Sequence, residues 1–350
     1  YNNLWHYFGN IPFYLENLSS PYTAPQLSAD EVYNNLITEL ESVIKSNVLP
    51  MRWDDVNCGR MSQAMCYMMY AEMVMYQKDT SRYATALQYM QEIINDKNEY
   101  GIMDDFASIW KNSGEWCKES IWEVNYEIGF SERSWDNPLG IGGTVLPTLI
   151  SPNSWPGGEG WDAGANGWGF MPVRTETYNM FASNDKRRDA TVWDCRGVEY
   201  TKRYQDTGFW LGKYRPYTEN NATSGDKDLN YNNNLRVYRV AEAYLNAAEL
   251  LLETGGDATK AKDYVNIIRR RAGIAELGAV TVDDVINERH LEFVGEGKRY
   301  FDLVRTGKAA SVLVPDEYGY RTNSWTESKK YIPIAQAELD SDPALVQNNY

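Results

Sequence analysis

Residues 235–273 read LRVYRVAEAYLNAAELLLETGGDATKAKDYVNIIRRRAG, and the spacing inside this stretch decides the fold. Apolar and small residues recur every three or four positions from Leu235 to about Glu253, which predicts one face of a helix. Gly255-Gly256 interrupts the pattern, Asp257 is a helix-starting residue, and a second periodic run continues to Ala272 before Gly273 stops it. Ala241, Ala247, Ala248 and Ala261 form a seam of small side chains along which two helices can approach closely. Tyr244, Leu251 and Tyr264 fill the space beside it. This is tetratricopeptide-like hairpin grammar, although the full repeat consensus is not met.

The same plan occurs near the other end of the chain. Ser28-Ala-Asp-Glu31 is a capping box, in which the serine hydroxyl and the glutamate carboxylate each satisfy a free amide of the first turn. It opens an amphipathic run with Val32, Leu36, Leu40, Val43 and Ile44 on its apolar side. Runs from Ser62 to about Gln77 and from about Arg82 to Asn95 predict a second hairpin, with Ala64, Ala71, Ala84 and Ala86 as its close-packing seam and Tyr83, Tyr89 and Ile93 as filler. The expected fold is therefore mainly α, with tetratricopeptide-like helical hairpins forming a superhelical scaffold, an irregular loop-rich insertion and a few short strands. Three regions follow within one domain of residues 1–350: a first hairpin region at 28–125, the insertion at 126–234 and a second hairpin region at 235–350.

Composition narrows the function. The chain has 350 residues, 34 Lys+Arg against 49 Asp+Glu, and a formal net charge of −15. It lacks the basic field that gathers phosphates, which excludes nucleic acid and an anionic lipid surface as partners and disfavours acidic substrates. Cys58, Cys66, Cys117 and Cys195 show neither a C-x-x-C pair nor regular spacing, so they read as buried free thiols. With only His6 and His290, no histidine-based metal cluster or cofactor site is signalled. No apolar run approaches the length of a membrane span. The aromatic residues are the unusual feature: 12 Trp and 26 Tyr against 9 Phe, a bias toward rings with a polar edge that suit half-wet surfaces.

The insertion is where this bias concentrates. Between Glu127 and Phe170 lie ten of the 26 glycines and four of the 12 tryptophans, in stretches that cannot form a regular helix or long strand. Glu119–Asn125 alternates like a strand ahead of it, a helix is expected near Glu176–Ala182, and Tyr200–Tyr204 with Phe209–Tyr217 is expected to form a short hairpin. The polar segment Tyr217–Asn234 reads as loop. A long loop rich in large rings points to function: an exposed indole can stack on the C–H face of a sugar while neighbouring polar groups bond its hydroxyls. Trp135 with Arg133, Asp136 and Asn137, Trp155 with Asn153, and Trp161 with Asp162 have that chemistry. Any one of these rings can equally plug its loop onto the helical core.

A second candidate is the run from Glu288 to Arg305, where Glu288, Glu292 and Glu296 recur every four residues. Two close carboxylates could raise one another's pKa for acid–base work. The favoured reading is a structural ion lattice satisfied by Arg289, Arg299 and Arg305 together with Asp302, with His290 a capping or packing residue.

These residues carry a resemblance. Val237-Tyr-Arg-Val-Ala-Glu-Ala-Tyr-Leu-Asn-Ala-Ala-Glu249, Val265-Asn-Ile-Ile-Arg-Arg-Arg-Ala-Gly273 and the 288–307 run resemble the SusD/RagB-like family of cell-surface nutrient-binding lipoproteins. Phe8-Gly-Asn-Ile-Pro12, Trp168-Gly-Phe-Met-Pro172, Lys186-Arg-Arg-Asp189 and the closing segments from Tyr331 and Asp342 are similar as well. The family normally begins with a lipidated Cys and a further N-terminal helical region, and Tyr1–Pro12 looks like an internal segment of a full-length member. The resemblance implies that Trp168 and the 288–305 lattice are shared scaffold, whereas Trp135, Trp155 and Trp161 lie in variable, ligand-facing loops.

What it further implies is a non-catalytic protein that binds an oligosaccharide or polysaccharide at the outer face of the outer membrane and delivers it to a SusC-like TonB-dependent barrel. Membrane attachment would run only through an N-terminal lipid. The alternatives are a peptide-binding member of the same family, a helical glycoside hydrolase using the clustered carboxylates, and a repeat scaffold that binds another protein.

Overall fold

The computed structural model describes all residues except 21–22, 128, 130–131, 157–166, 223, 318 and 350. In chain order, α1 (Asn2–Phe8), β1 (Ile11–Pro12), β2 (Gln26–Leu27), α2 (Ala29–Ser46), α3 (Gln63–Gln77) and α4 (Tyr83–Asn95) come first. They are followed by β3 (Ser120–Val124), α5 (Leu146–Ile150), α6 (Thr175–Met180), α7 (Arg187–Thr191), β4 (Val192–Asp194), β5 (Phe209–Leu211) and β6 (Leu235–Arg239). The chain ends with α8 (Val240–Glu253), α9 (Ala258–Ala272), α10 (Val282–Glu292), α11 (Arg299–Arg305), α12 (Ala309–Val312) and α13 (Gln336–Ser341). It divides into two compact units, one of residues 1–50, 66–86 and 300–350, the other of residues 51–65 and 87–299.

In the first unit the capping box at Ser28 forms as expected, with both the Ser28 hydroxyl and the Glu31 carboxylate engaged. The buried face of α2 is Val32, Tyr33, Ile37 and Ile44. Val43, expected on the apolar side, is instead exposed, because a helix advances 100° per residue and Tyr33 and Ile37 centre the stripe away from it. Trp5 of α1 is buried beside Tyr33 and Tyr76, at ring-centroid distances of 5.6 and 5.2 Å. Arg82 bridges Glu41 and Asp79 at 2.8 and 2.6 Å. The closing segment returns to the opening one: the Ile332 amide donates to the Tyr7 carbonyl, and the Asn348 amide side chain donates to the carbonyls of Phe8 and Ile332. Two sequence-distant family-like segments thus form one hydrogen-bonded corner.

The second unit is built on the hairpin of α8 and α9. Asp257 caps α9 by accepting from the Thr259 and Lys260 amides, and Gly273 ends it in the left-handed region. Ala241, Ala247, Ala248 and Ala261 are fully buried in the seam, and the Tyr244 and Tyr264 rings meet edge-on at 5.4 Å. In the earlier run Ala64, Ala71 and Ala86 are buried and Ala84 is exposed, since Ala84 lies two positions, about 200°, from Ala86 on the same helix.

The first five residues of the expected helix from Leu235 are not helical. They form β6, paired antiparallel with β3 (Trp122 opposite Tyr238, Glu123 opposite Arg236). Alternation over LRVYR sends Arg236 and the Tyr238 ring to their own partners before helical spacing takes over at Val240. The expected hairpin of 200–204 with 209–217 is also different. Phe209–Leu211 pairs with Val192–Asp194, while Thr201 bridges Asn153, because the Tyr200–Asp206 segment is held as a turn by the Asp206 carboxylate.

Around these elements Phe106, Ile109, Trp110, Ile150, Val173, Phe181, Val192, Phe209, Leu211 and Tyr214 form an apolar core. Among the described residues no helix is long and apolar enough to cross a membrane, and no group of His, Cys, Asp or Glu could hold a metal ion. All four cysteines are free; Cys66 and Cys195 are buried, whereas Cys58 and Cys117 are only half-buried.

Candidate functional site

The two candidates in the sequence have opposite surroundings. Glu288 and Glu292 lie on α10, but the helix ends at Glu292 and the chain turns through Gly295, so Glu296 is not on the same helical face. Their partners come from other elements rather than from the 288–305 run. Glu292 binds Arg239 at 2.9 Å, Arg271 at 2.5 Å and Arg187 at 3.2 Å. Glu288 binds Arg187 at 2.6 Å and Arg269 at 2.8 Å. Glu296 binds Lys213 at 2.6 Å and Arg239 at 2.8 Å, and Glu119 joins Arg239 and Arg271. Arg289, expected in the lattice, faces Glu242 and Asn246, and Arg305 pairs with its own helix neighbour Asp302. Sequence spacing singled out Glu288, Glu292 and Glu296 and missed both Glu119 and the bases around Glu292, which lie 21 to 105 residues away from it along the chain.

Electrostatics follow from that enclosure. Burial alone would raise the pKa of Glu292, yet the charges of Arg271, Arg239, Arg187 and Lys213 hold it well below the usual carboxylate range. Burial opposes ionisation of Glu296 too, and Arg239 and Lys213 again lower it. Burial pushes the Lys213 ammonium down to about 8 despite Glu296. Both members of this pair move downward, the ammonium chiefly through burial and then through repulsion by Arg239, the carboxylate through the charges of Arg239 and Lys213. An enclosed carboxylate whose pKa is lowered by its cations fits a scaffold element better than a general acid, whose pKa must lie near the working pH.

Two rings of the described aromatic loops face solvent. Trp135 is 58% exposed and Phe170 is 67% exposed, with half-buried Trp168 between them. The Trp135 and Trp168 centroids are 5.6 Å apart at 32°, and the Trp168 and Phe170 centroids 5.8 Å apart at 61°. The result is a tilted strip of three rings.

Its two strands of chain are each pinned by backbone. The amides of Trp168, Gly169 and Phe170 donate to the carbonyls of Thr148, Ser151 and Leu149 at 2.7, 2.9 and 2.9 Å. Gly169, at φ +69°, packs against the Arg203 stem, where a Cβ would come within 2.6 Å, so no larger residue fits between the two rings. Arg203 leads into Tyr204, which is 84% exposed at the tip of the Asp206 turn.

The Trp135 loop closes on residues 226–231. Thr144 and Tyr231 exchange two backbone bonds of 2.7 and 3.0 Å, and a Cβ on Gly143 would lie 2.3 Å from the Tyr231 carbonyl oxygen. Only glycine permits that approach.

Among the residues singled out in the sequence, Trp135 and Asp136 are exposed and available. Arg133 is turned inward, donating to the Gly143 carbonyl at 2.8 Å, and so shapes the loop. Asn153 donates to the Gly167 carbonyl at 3.0 Å and accepts from Ser154, which braces the base of its loop. Trp155 is half-buried, edge-on to Trp193 at 4.7 Å and 82°, so it belongs to a different ring pair from Trp135. Trp161 and Asp162 lie outside the described residues. Sequence reasoning passed over Phe170 and Tyr204 and placed Trp168 with the scaffold. The pattern Trp168-Gly-Phe170 was the available signal, since a glycine between two rings frees both to face one side.

A helical scaffold presents an exposed aromatic strip, while Glu288, Glu292 and Glu296 are enclosed among cations. Comparison with known proteins gives this arrangement its family. Residues 197–350 match the SusD family. The chain is similar to surface glycan-binding protein A from Bacteroides uniformis, with 61% identity and a TM-score of 0.91, covering 100% of this chain and 75% of that one. It is similar to surface glycan-binding protein A from Bacteroides thetaiotaomicron in complex with laminarihexaose, with 52% identity, a TM-score of 0.93 and the same coverage. A laminarin-binding SusD-like protein is 30% identical, with a TM-score of 0.85 over 99% of this chain and 75% of that one. The chain belongs to the SusD/RagB family.

Proposed function

We propose that this protein binds a laminarin-type glucan through the strip of Trp135, Trp168 and Phe170, with Tyr204, Asp136 and Trp155 as flanking contacts. The observation that carries this reading is the exposure of Trp135 and Phe170 on loops that are themselves tightly hydrogen-bonded. Large apolar rings held open to water are costly to maintain, and a tilted strip offers stacking faces to successive sugar rings of a curved chain. An uncharged polyol needs no basic field, which suits a chain of net charge −15. The proteins similar to this chain that are named for glycan, laminarihexaose or laminarin support the choice of ligand.

Binding proceeds without bond cleavage in this reading. Glu288 and Glu292, members of the carboxylate cluster considered for hydrolysis, are ion-paired and at most 2% exposed, which supports binding over hydrolysis by that cluster. Family membership supports lipid attachment at the outer face of the outer membrane and delivery of the glucan to a TonB-dependent barrel.

Titration calorimetry with laminarihexaose should give saturable binding to the wild type, and much weaker binding to Trp135→Ala with its thermal unfolding unchanged. Equal affinity in the variant would remove the strip as the site. Incubation with laminarin should release no new reducing ends; sustained release would replace the binding reading with the hydrolase.

A further inference from the structure

From the bonds that hold the Trp135 loop, we infer that Asp226 is a positioning residue for the aromatic strip: its carboxylate fixes Trp135 at a set angle to Trp168 before any ligand arrives. This rests on the strip being the glucan site. One carboxylate oxygen of Asp226 accepts from the Trp135 amide at 2.8 Å, and the Asp226 amide reaches back to the Arg133 carbonyl at 3.3 Å. Asn230 locks the same register from beneath. It is fully buried, donates to the carbonyls of Arg133 and Asp226 at 2.9 and 2.8 Å, and accepts from the Gly143 amide at 3.3 Å.

These bonds all end on backbone atoms, so they set where the loop lies and add no chemistry to its surface. Without the Asp226 carboxylate the Trp135 amide at an exposed loop tip has only water to bond. The indole is then free to sample orientations that must be given up on binding, and each ordered side chain lost to disorder weakens affinity. Asp226 is separated from Trp135 by 91 residues, so the strip depends on a segment that carries none of its rings.

The test is a double-mutant cycle read with laminarihexaose by calorimetry on the full chain. Asp226→Ala should bind about tenfold more weakly, while Asp226→Asn, which keeps an oxygen acceptor for the Trp135 amide, should stay within about twofold of wild type. In the Trp135→Ala background, Asp226→Ala should add no further loss, since there is no longer a ring to position. Full weakening in Asp226→Asn would mean that the charge itself meets the ligand, and an undiminished Asp226→Ala effect without Trp135 would place its action elsewhere; either overturns the inference. If Trp135→Ala weakens binding while Asp226→Ala does not, the positioning role fails and the site stands. If Trp135→Ala binds like wild type, the site itself fails and the positioning role with it.

Discussion

The ion lattice around Glu292 and the ring strip around Trp135 belong to the same unit and invert the usual rule of burial in opposite directions. In one, the cations Arg187, Lys213, Arg239 and Arg271 and the carboxylates of Glu119, Asp185, Glu288, Glu292 and Glu296 are shut away from water; in the other, large aromatic rings are kept in it. Charged side chains are almost never fully buried unless paired, and large exposed apolar patches mark interaction sites. The lattice satisfies the first condition internally, since Arg187, Lys213, Arg239 and Arg271 each find a carboxylate within 3.2 Å. The strip satisfies its rings only in part, and the remaining faces are what a ligand can cover.

Breaking the lattice should give the largest effect. Glu292→Ala leaves Arg187, Arg239 and Arg271 short of a shared partner, and removal of one member of a buried pair costs about 3–5 kcal/mol. Chemical denaturation should show that loss, with any remaining folded protein still able to bind. A shift of less than about 1 kcal/mol would mean that water already reaches the site, at odds with its enclosure.

Acid should act on the same place more gradually. Glu292 and Glu296 are held below their unfolded pKa values, so the folded state binds fewer protons. Their contribution is complete above the ordinary carboxylate range and is lost as pH falls through it toward the folded values. Thermal unfolding followed from pH 7 downward should therefore decline most steeply below about pH 4.3, the unperturbed value for Glu. Glu292→Gln should flatten that decline, and an unchanged slope would assign the acid sensitivity to other carboxylates.

On the strip the order reverses, with affinity moving and stability holding. Trp135→Ala combined with Trp168→Ala should weaken glucan binding about a hundredfold, the scale of an aromatic hot spot, while unfolding shifts little for the exposed ring. Trp155→Ala should weaken binding by less than about tenfold, because that ring is half-buried and spends an edge on Trp193. A larger loss at Trp155 than at Trp135 would move the centre of the site to the Trp155–Trp193 pair.

The division between what could be read ahead and what could not follows the same two regions. In the lattice, Glu288, Glu292 and Glu296 were legible from their spacing, although the helix ends at Glu292 and Glu119 joins them from another element. Its bases Arg187, Lys213, Arg239 and Arg271 were not, because ion pairs between separate elements leave no periodic trace in sequence. In the loops, Trp135 was legible as a large ring among glycines. That Arg133 and Asn153 would be consumed by backbone carbonyls, and that Trp168 would stand beside Trp135, depended on where each loop closes.

The sequence by itself determined the helical hairpins. Capping residues at Ser28 and Asp257, the breaks at Gly255 and Gly273, and the alanine seam act within a few residues of where they are written, through hydrogen bonds and periodic burial that are local. Tertiary structure alone decided that Leu235–Arg239 would leave the helix to pair with β3, and that Phe209–Leu211 would pair with β4. It also decided which of the rings would remain in water. Strand pairing and exposure are set by partners far along the chain, and the spacing within a segment does not say which partner it will meet.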